Sequence, residues 1–534
     1  MMKPTASEAV PARPEDHVWD VIVIGAGAGG ATAGFNLARL GRSVLFVERG
    51  KLTHLDPSVT LGDPLFWTGG DPEKALNHGW WPRPFYREND GALIPTKPPI
   101  GCGAGGSTAH FNGVMDRFRP QDFSPRRFFP DAPGASLPEA WPVSYEEMVP
   151  FYEQAERLYR VRGTQDPLAP PGASLLEPPP PSAKESAVCD GLKAAGLHPY
   201  RIHYALEQVH GCDGCAGRLC PRPCRNDAAR ICLYPALEQY GAKILPNCRA
   251  IRLEERARVV EQAVCDWNGR RVALRARIFV LAANAFLTPA LLQRSANDRF
   301  PNGLANSSGL LGRNLMLHAS SHVYLRLRRS PGDDLGMNYG LSLNDFYINN
   351  GVKMGNLHAH PGVDPGQLTR FLARSNGLKH LPGRVLSRIA SMAPFLGRRW
   401  TAFSAILEDL PYPENRVAAK ASSDEDIVYA YRYPPELRRR AQLVIDGFER
   451  KVNMLFDVRR LEPQGELNGS HACGTCRFGD DPRASVLDRD NRAHDLDNLY
   501  VFDASFFPSS GGINPSLTIV ANCLRATDKI AQRV

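Results

Sequence analysis

Apolar and polar positions divide the chain into stretches of different period. "VWDVIVI" at 18–24 is apolar at nearly every position, as expected of a strand buried on both faces in a parallel sheet. "GATAGFNLARLG" follows as a helix of small residues, and "SVLFVERG" is a second apolar strand ending at Glu48. "VSYEEMVPFYEQAERLYRV" reads as a further helix, with Ser144 as N-cap and Glu147 closing a capping box. Between 242 and 282 the period shortens ("KILPNCRAIRLEE", "RVVEQAVCDW", "RRVALRARIFVLAA"), which predicts an antiparallel meander returning to a buried strand. Residues 434–456 form an amphipathic helix whose first turn suits Pro434 and Pro435. Residues 51–100 carry little periodicity, and long excursions of that kind in compact enzymes usually have a role. "TQDPLAPPGASLLEPPPPS" is a Pro-rich surface connection, residues 320–433 mix strands and loops without a nameable motif, and the last seventy are dense in polar and glycine signals. The mixture is of the α/β (α+β) class.

Composition narrows the function classes. The 534 residues exceed one ordinary core, so two large domains or one elaborated domain are expected. Apolar content of 43%, charged content of 22%, 47 Gly and 45 Pro describe a loop-rich globular enzyme. The net charge of +8 is scattered, and its densest pieces, "RPQDFSPRR" and "ELRRRAQ", read as solvated surface, so no nucleic-acid partner is expected. No stretch approaches ~18 uninterrupted apolar residues, so no membrane span is expected. "MMKPTASEAVPARPEDH" lacks an apolar export core, which leads to the expectation of a cytoplasmic protein.

Chemistry first enters at Gly25-Ala-Gly27-Ala-Gly-Gly30, between the first strand and its helix. Gly25 permits the tight turn, Gly27 lets a pyrophosphate approach bare backbone, and Gly30 allows close helix–strand packing. The helix N-terminus offers unpaired N–H groups to the phosphates, and Glu48 can accept from a ribose hydroxyl. Strand, helix, second strand and acid in this register point to a dinucleotide site. The motif alone does not separate FAD from NAD.

This glycine motif, "GAGGSTAHFNG", "ARIFVLAANAFLTPALLQRS", "GLLGRNLMLH", "EDLPYPENRV" and "HACGTCRFGDDPRASVLD…NLYVFDASFFPSSGGINPSLTIVANCLRATDKIA", in this order, resemble the glucose–methanol–choline family of FAD-dependent oxidoreductases. The resemblance is weak only over 321–405. It implies FAD, an alcohol oxidised by hydride transfer to flavin N5, and a Rossmann-type FAD domain beside a substrate domain built on an antiparallel sheet. The FAD domain would comprise 16–135, 225–320 and 465–534, and the substrate domain 136–224 and 321–464 with the Cys-rich loop 210–232.

Carried over residue by residue, His471 of "H-x-x-G-T" matches the active-site histidine and Asn514 of "INPSLT" its partner. Asp503, Ala504 and the Asn514-Pro515 backbone match positions near the ribityl chain and pyrimidine edge. Ala250 matches the strand whose backbone meets the adenine. Gly103 to Thr108, with Gly106 and Ser107, match the loop under pyrophosphate and isoalloxazine, and Arg49 and Asn112 complete the cofactor-binding set. Asn284 stands where many relatives have Gly. His110, four residues after Gly106, is similar to the histidine that bonds covalently to the flavin in the pyranose-oxidase branch; not all relatives with a histidine here are flavinylated. A neutral imidazole at His471 suits removal of an O–H proton, and an amide at Asn514 can orient the hydroxyl without competing for it. The implied function is dehydrogenation of an alcohol, a sugar or polyol among the candidates, with electrons passed to an external acceptor protein or quinone. The alternatives are an oxygen-using oxidase that makes peroxide and a non-catalytic flavoprotein electron carrier. His358, His360, Tyr339 and Asn344 are polar candidates for the pocket but read as surface.

One stretch stands apart: Cys212-x2-Cys215-x4-Cys220-x3-Cys224-x7-Cys232, stiffened by Pro221 and Pro223. Disulfides, a structural zinc, an iron–sulfur cluster and inert thiols all remain open from the spacing. Cys215-x4-Cys220-x3-Cys224 looks like the cluster segment of bacterial FAD glucose and fructose dehydrogenases. That likeness implies an iron–sulfur cluster on Cys212, Cys215, Cys220 and Cys224.

Overall fold

The structure is a computed structural model that describes residues 9–52, 71–207, 219, 222, 224–328, 340–359, 380–391, 400–420 and 422–533. Its N-terminal strand forms over Val18–Ile24 and lies between two parallel neighbours, Val44–Val47 and Arg270–Leu281. Lys243–Leu245 extends the parallel side, Val259–Trp267 and Cys248–Arg256 continue the other side antiparallel, and Leu499–Val501 adds a seventh strand against Arg270–Leu281. Arg270–Leu281 shows why the pattern changes along its length. Its first half alternates buried and exposed within the meander, and its second half is buried throughout where it meets Val18–Ile24. The expected first strand of the meander divides in two: 243–245 pairs with Val44–Val47, and only 248–256 belongs to the hairpin. The helices Ala28–Arg39 and Ser516–Ala531 pack against each other beside this sheet.

A second sheet is antiparallel, in the spatial order Phe456–Cys473, Met316–Leu327, Thr401–Leu407, Gly355–Ala359, Leu341–Leu343 and Tyr200–Arg201. The helix Pro435–Val452 covers it, burying Leu437, Ala441, Val444, Ile445 and Phe448 against Val323, Leu325 and Phe403. The expected domain boundaries at 320/321 and 464/465 fall inside Met316–Leu327 and Phe456–Cys473. Each of those strands is one continuous element.

The aperiodic 51–100 segment contains structure that the pattern did not suggest. Phe85–Asn89 and Ala92–Thr96 form a hairpin that pairs in parallel with Ile427–Ala430. Asp90 and Gly91 both take positive φ (48° and 80°) in its two-residue loop, and this Asp-Gly dipeptide was the available signal. The helix Tyr145–Leu158 starts as expected, with Ser144 and Glu147 closing the capping box reciprocally.

The reading of "RPQDFSPRR" and "ELRRRAQ" as solvated surface needs correction. Arg119, Asp122 and Arg440 are buried, Arg119 pairing with Asp166 at 2.6 Å and Arg440 with Glu436 at 2.6 Å. Asn344 and His358 are likewise buried, both bonded to Asn356. Charged and polar side chains read as surface in one dimension because their partners are far away in sequence. His360 and Tyr339 lie outside the described residues, and among those described no helix is long and apolar enough to cross a membrane.

Candidate active site

The strand Val18–Ile24 delivers the chain into the glycine turn. Gly25 sits at φ 102°, where a Cβ would run into the carbonyl oxygen of Ala282, and a Cβ at Gly30 would strike the carbonyl of Gly25. Gly27 differs. Its φ of −82° is ordinary, and an added Cβ would meet only the Cα of Gly106, at 3.9 Å. Gly27 is also the N-cap of the helix Ala28–Arg39 and no side chain caps it, so the first-turn N–H groups point into this open groove. Two glycines from distant parts of the chain therefore meet backbone to backbone, where a Cβ at Gly106 would come within 2.9 Å of Gly27 Cα.

Glu48 ties the cradle together. Its Oε2 accepts from Ala26 N (2.9 Å) and its Oε1 from Gly50 N (2.8 Å) and Gly103 N (3.0 Å). A carboxylate offers about four acceptor positions, so one remains for a ribose hydroxyl. Burial pushes its pKa up, against those three N–H bonds. Cys248 N donates to the Glu48 carbonyl at 2.8 Å, which brings the strand carrying Ala250 alongside. Arg49 lies 4.2 Å over the ring of Trp81 and bonds Glu425 at 3.1 Å. Ser107 Oγ accepts from Gly101 N at 3.0 Å, and Asn112 is exposed. Open groove, bare helix end and residual acceptor fit a dinucleotide such as FAD.

Asp503 holds the far end of the site. Its carboxylate accepts from Asn284 N (3.0 Å), Ser505 N (2.9 Å) and the Thr288 hydroxyl. Asn284 itself sustains the turn at this position. It adopts φ 79°, and its Oδ1 accepts from Phe286 N (2.9 Å) and Leu287 N (3.3 Å) at the start of the helix Leu287–Arg294. The Ala504 carbonyl accepts from Gly474 N at 3.2 Å, which docks the His471 segment onto this loop.

His471 projects because its strand bulges. Met316 pairs with Cys473 but His318 pairs with Asn468, so four residues of one strand stand opposite a single residue of the other. His471 Nδ1 lies 3.0 Å from His318 Nδ1, with the rings nearly perpendicular at 88°. Asn468 Nδ2 is 3.5 Å away. Burial and the neighbouring imidazole push the His471 pKa down to about 3, and burial takes His318 down to about 4. His318 Nε2 meets the carbonyls of Gly511 (2.9 Å) and Ser510 (3.1 Å), close before Asn514 in the chain. Asn514 is half-buried, and its Oδ1 is itself buried with no hydrogen-bond partner in the protein. Pro515 opens the helix Ser516–Ala531.

His318 closed the quoted "GLLGRNLMLH" without a role. Its signal was the alternation of "HASSHVYLRL", which places it on one strand face with Ser320 and His322. Deeper still, Lys353, Asp122 and Glu408 are fully buried, Lys353 bridging the two acids at 2.8 and 2.6 Å. Gly511 N donates to Glu408 (3.3 Å) and Gly512 N to the Tyr347 hydroxyl (3.1 Å), so this cluster braces the turn ahead of Asn514.

His110 is buried, stacked on Trp80 at 3.9 Å, with Nε2 2.9 Å from the Gly79 carbonyl. Leu219, from the Cys-rich stretch, borders the same glycine. Cys212, Cys215 and Cys220 lie outside the described residues. Cys224 is buried, and Arg225 beside it bonds the Ala109 carbonyl. Cys232 is buried in the helical turn Ala229–Leu233, its thiol 3.7 Å from both Thr32 and Tyr159 and its pKa raised to about 12 by burial. Among the described residues no cysteine is in a disulfide, and no three His, Cys, Asp or Glu could hold a metal together.

Family models described as GMC oxidoreductase match residues 142–320 and 447–523, and an FAD binding domain matches 20–60. The chain is 30% identical to paromamine 6'-oxidase of Streptomyces fradiae, over 97% of this chain and 92% of that protein. It is 26% identical to the fructose dehydrogenase large subunit of Gluconobacter japonicus, over 96% and 97%. Pyridoxine 4-oxidase from Mesorbium loti shares the fold with a TM-score of 0.63 at 18% identity, over 96% of this chain and 99% of that one.

Proposed function

The chain belongs to the GMC oxidoreductase family, an FAD-binding oxidoreductase acting on CH–OH groups, and from that premise we propose that it dehydrogenates a small hydroxylated substrate, a sugar or polyol. The observation that carries this reading is the His471–His318 imidazole pair at 3.0 Å, anchored to the Ser510 and Gly511 carbonyls just ahead of Asn514 in the chain, together with an N-terminal glycine turn that leaves no room for a Cβ at Gly25 or Gly30. Gly27, Gly106 and Glu48 would hold FAD, which would supply the acceptor for the carbon-bound hydride. His471, kept neutral by burial, takes the hydroxyl proton. Negative charge growing on the substrate oxygen stabilises the imidazolium as it forms. Asn514 orients the hydroxyl.

An acceptor must then collect the electrons, and we place an iron–sulfur cluster on Cys212, Cys215, Cys220 and Cys224 as the one-electron outlet toward a protein or quinone. In support, Leu219 and Arg225 of that stretch adjoin His110 and Ala109 in the second glycine-rich segment. Protein purified without oxygen should be brown and contain iron and acid-labile sulfide, and Cys220→Ser should lose the iron while keeping flavin. Zinc, or no metal at all, refutes the cluster.

The function is tested by adding fructose, 2-methyl-1,2-propanediol, paromamine and pyridoxine anaerobically and following flavin bleaching. Bleaching by at least one, with little peroxide on admission of air, is the expected result. Stoichiometric peroxide would favour the oxidase reading, which the paromamine oxidase likeness supports. No bleaching by any hydroxylated compound would overturn the assignment.

A further inference from the structure

We propose that His318 is a positioning residue that locks His471 in the tautomer carrying its proton on Nδ1, so that Nε2 presents the lone pair that takes the substrate proton. The inference rests on His471 being the base. It follows from counting donors and acceptors along one line of contacts. His318 Nε2 faces only carbonyl oxygens, those of Gly511 at 2.9 Å and Ser510 at 3.1 Å. Carbonyls cannot donate, so Nε2 of His318 carries the proton. The ring is 1% exposed and neutral, which leaves a bare lone pair on its Nδ1.

That lone pair points at His471 Nδ1, 3.0 Å away. Two unprotonated ring nitrogens at this separation would oppose their lone pairs, so the intervening proton belongs to His471. Asn468 Nδ2 could donate to His471 Nδ1 and reverse the tautomer, but it stands at 3.5 Å, the outer limit of a hydrogen bond. The shorter contact decides.

The arrangement is rigid at its far end. The turn supplying the two carbonyls is held by Glu408 at Gly511 N and by Tyr347 at Gly512 N. Asn356 N donates to Gly512 O at 2.8 Å, and Ser510 Oγ bridges the backbone N and O of Asp409, each at 3.0 Å. These bonds fix the carbonyls, the carbonyls orient His318, and His318 selects the His471 tautomer. When His471 becomes imidazolium, its Nδ1–H keeps an acceptor, which stabilises the charged form.

The test uses holoenzyme labelled with ¹⁵N-histidine, which separates pyrrole-type from pyridine-type nitrogens, with His318→Phe and His471→Ala identifying the signals. At neutral pH, His471 should show a protonated Nδ1 and bare Nε2, and His318 the reverse. His318→Phe should move the His471 proton to Nε2 and lower the limiting rate of anaerobic flavin reduction by about 10- to 100-fold, with substrate affinity and FAD content nearly unchanged. His318→Asn restores an acceptor and should recover most of the rate. A wild-type His471 protonated on Nε2, or a His318→Phe variant with the wild-type tautomer and rate, overturns the inference, and the wild-type spectrum decides alone should the variant not fold. The outcomes separate the two claims. A correct tautomer without bleaching by any alcohol overturns the function alone, and His471-dependent bleaching with the wrong tautomer overturns this inference alone.

Discussion

Gly27 and Gly25 lie two residues apart, and the structure gives their alanine substitutions opposite consequences. At Gly27 the backbone (φ −82°, ψ −164°) suits alanine, and the new Cβ would meet only Gly106 Cα at 3.9 Å. Apoprotein stability should therefore be unchanged or rise by about 0.4–1 kcal/mol, through the lost freedom of the unfolded chain. FAD binding should suffer. A methyl group over the bare helix end displaces the pyrophosphate from two N–H groups worth ~1.5–3 kcal/mol each to a charged acceptor, or ~3–6 kcal/mol together. That amounts to roughly 10²- to 10⁴-fold in affinity. Gly25→Ala, by contrast, forces a non-glycine residue to φ 102° with its Cβ against the Ala282 carbonyl. Backbone strain of about 1–3 kcal/mol is then added to that overlap, and the apoprotein itself is destabilised. The assay is flavin-to-protein ratio and FAD titration, together with Tm of the flavin-free forms. A Gly27→Ala protein that kept full flavin and the wild-type holoenzyme Tm would show that the cofactor does not cross this residue. Flavin-free Gly27→Ala melting well below flavin-free wild type would show that the groove is not open.

His471→Ala should slow anaerobic flavin reduction by roughly 100-fold or more with FAD content unchanged, and Asn514→Ala should slow it less; a wild-type rate in His471→Ala would require another base. Lys353→Met leaves Asp122 and Glu408 buried without their cation and should cost about 3–5 kcal/mol by urea unfolding, with a loss below about 1 kcal/mol counting against the buried triad. His318 is pushed down to about 4 by burial, whereas the unfolded chain titrates it near ~6.5. Unfolded protein thus binds the proton first. The contribution is fully present above pH ~6.5 and is lost as pH falls toward 4, by up to roughly 3 kcal/mol. His318→Asn should flatten the decline in Tm between pH ~6.5 and ~4, and an identical slope would refute the shift.

Much of the site was legible in one dimension because its parts are local. Val18–Ile24, the glycine turn, the following helix and Glu48 form one contiguous unit whose period, turn residues and terminal acid are all set by neighbours in the chain. The Ser144–Glu147 capping box and the Pro434-led helix are local in the same way. The C-terminal helix Ser516–Ala531 escaped notice although Thr518, Asn522, Arg525 and Lys529 recur at helical spacing; in the fold this polar stripe is largely buried, Thr518 against Tyr152 and Asn522 against Asn491. What tertiary structure alone decided are the long-range pairings. Lys353 meets Asp122 across 231 positions, and Asp122 read as solvated surface until Lys353 was placed beside it. His318 reaches His471 across 153 positions, through strand register and a bulge that no periodicity encodes. A histidine's chemistry depends on which atoms face its two nitrogens, and those atoms come from parts of the chain that only the fold brings together.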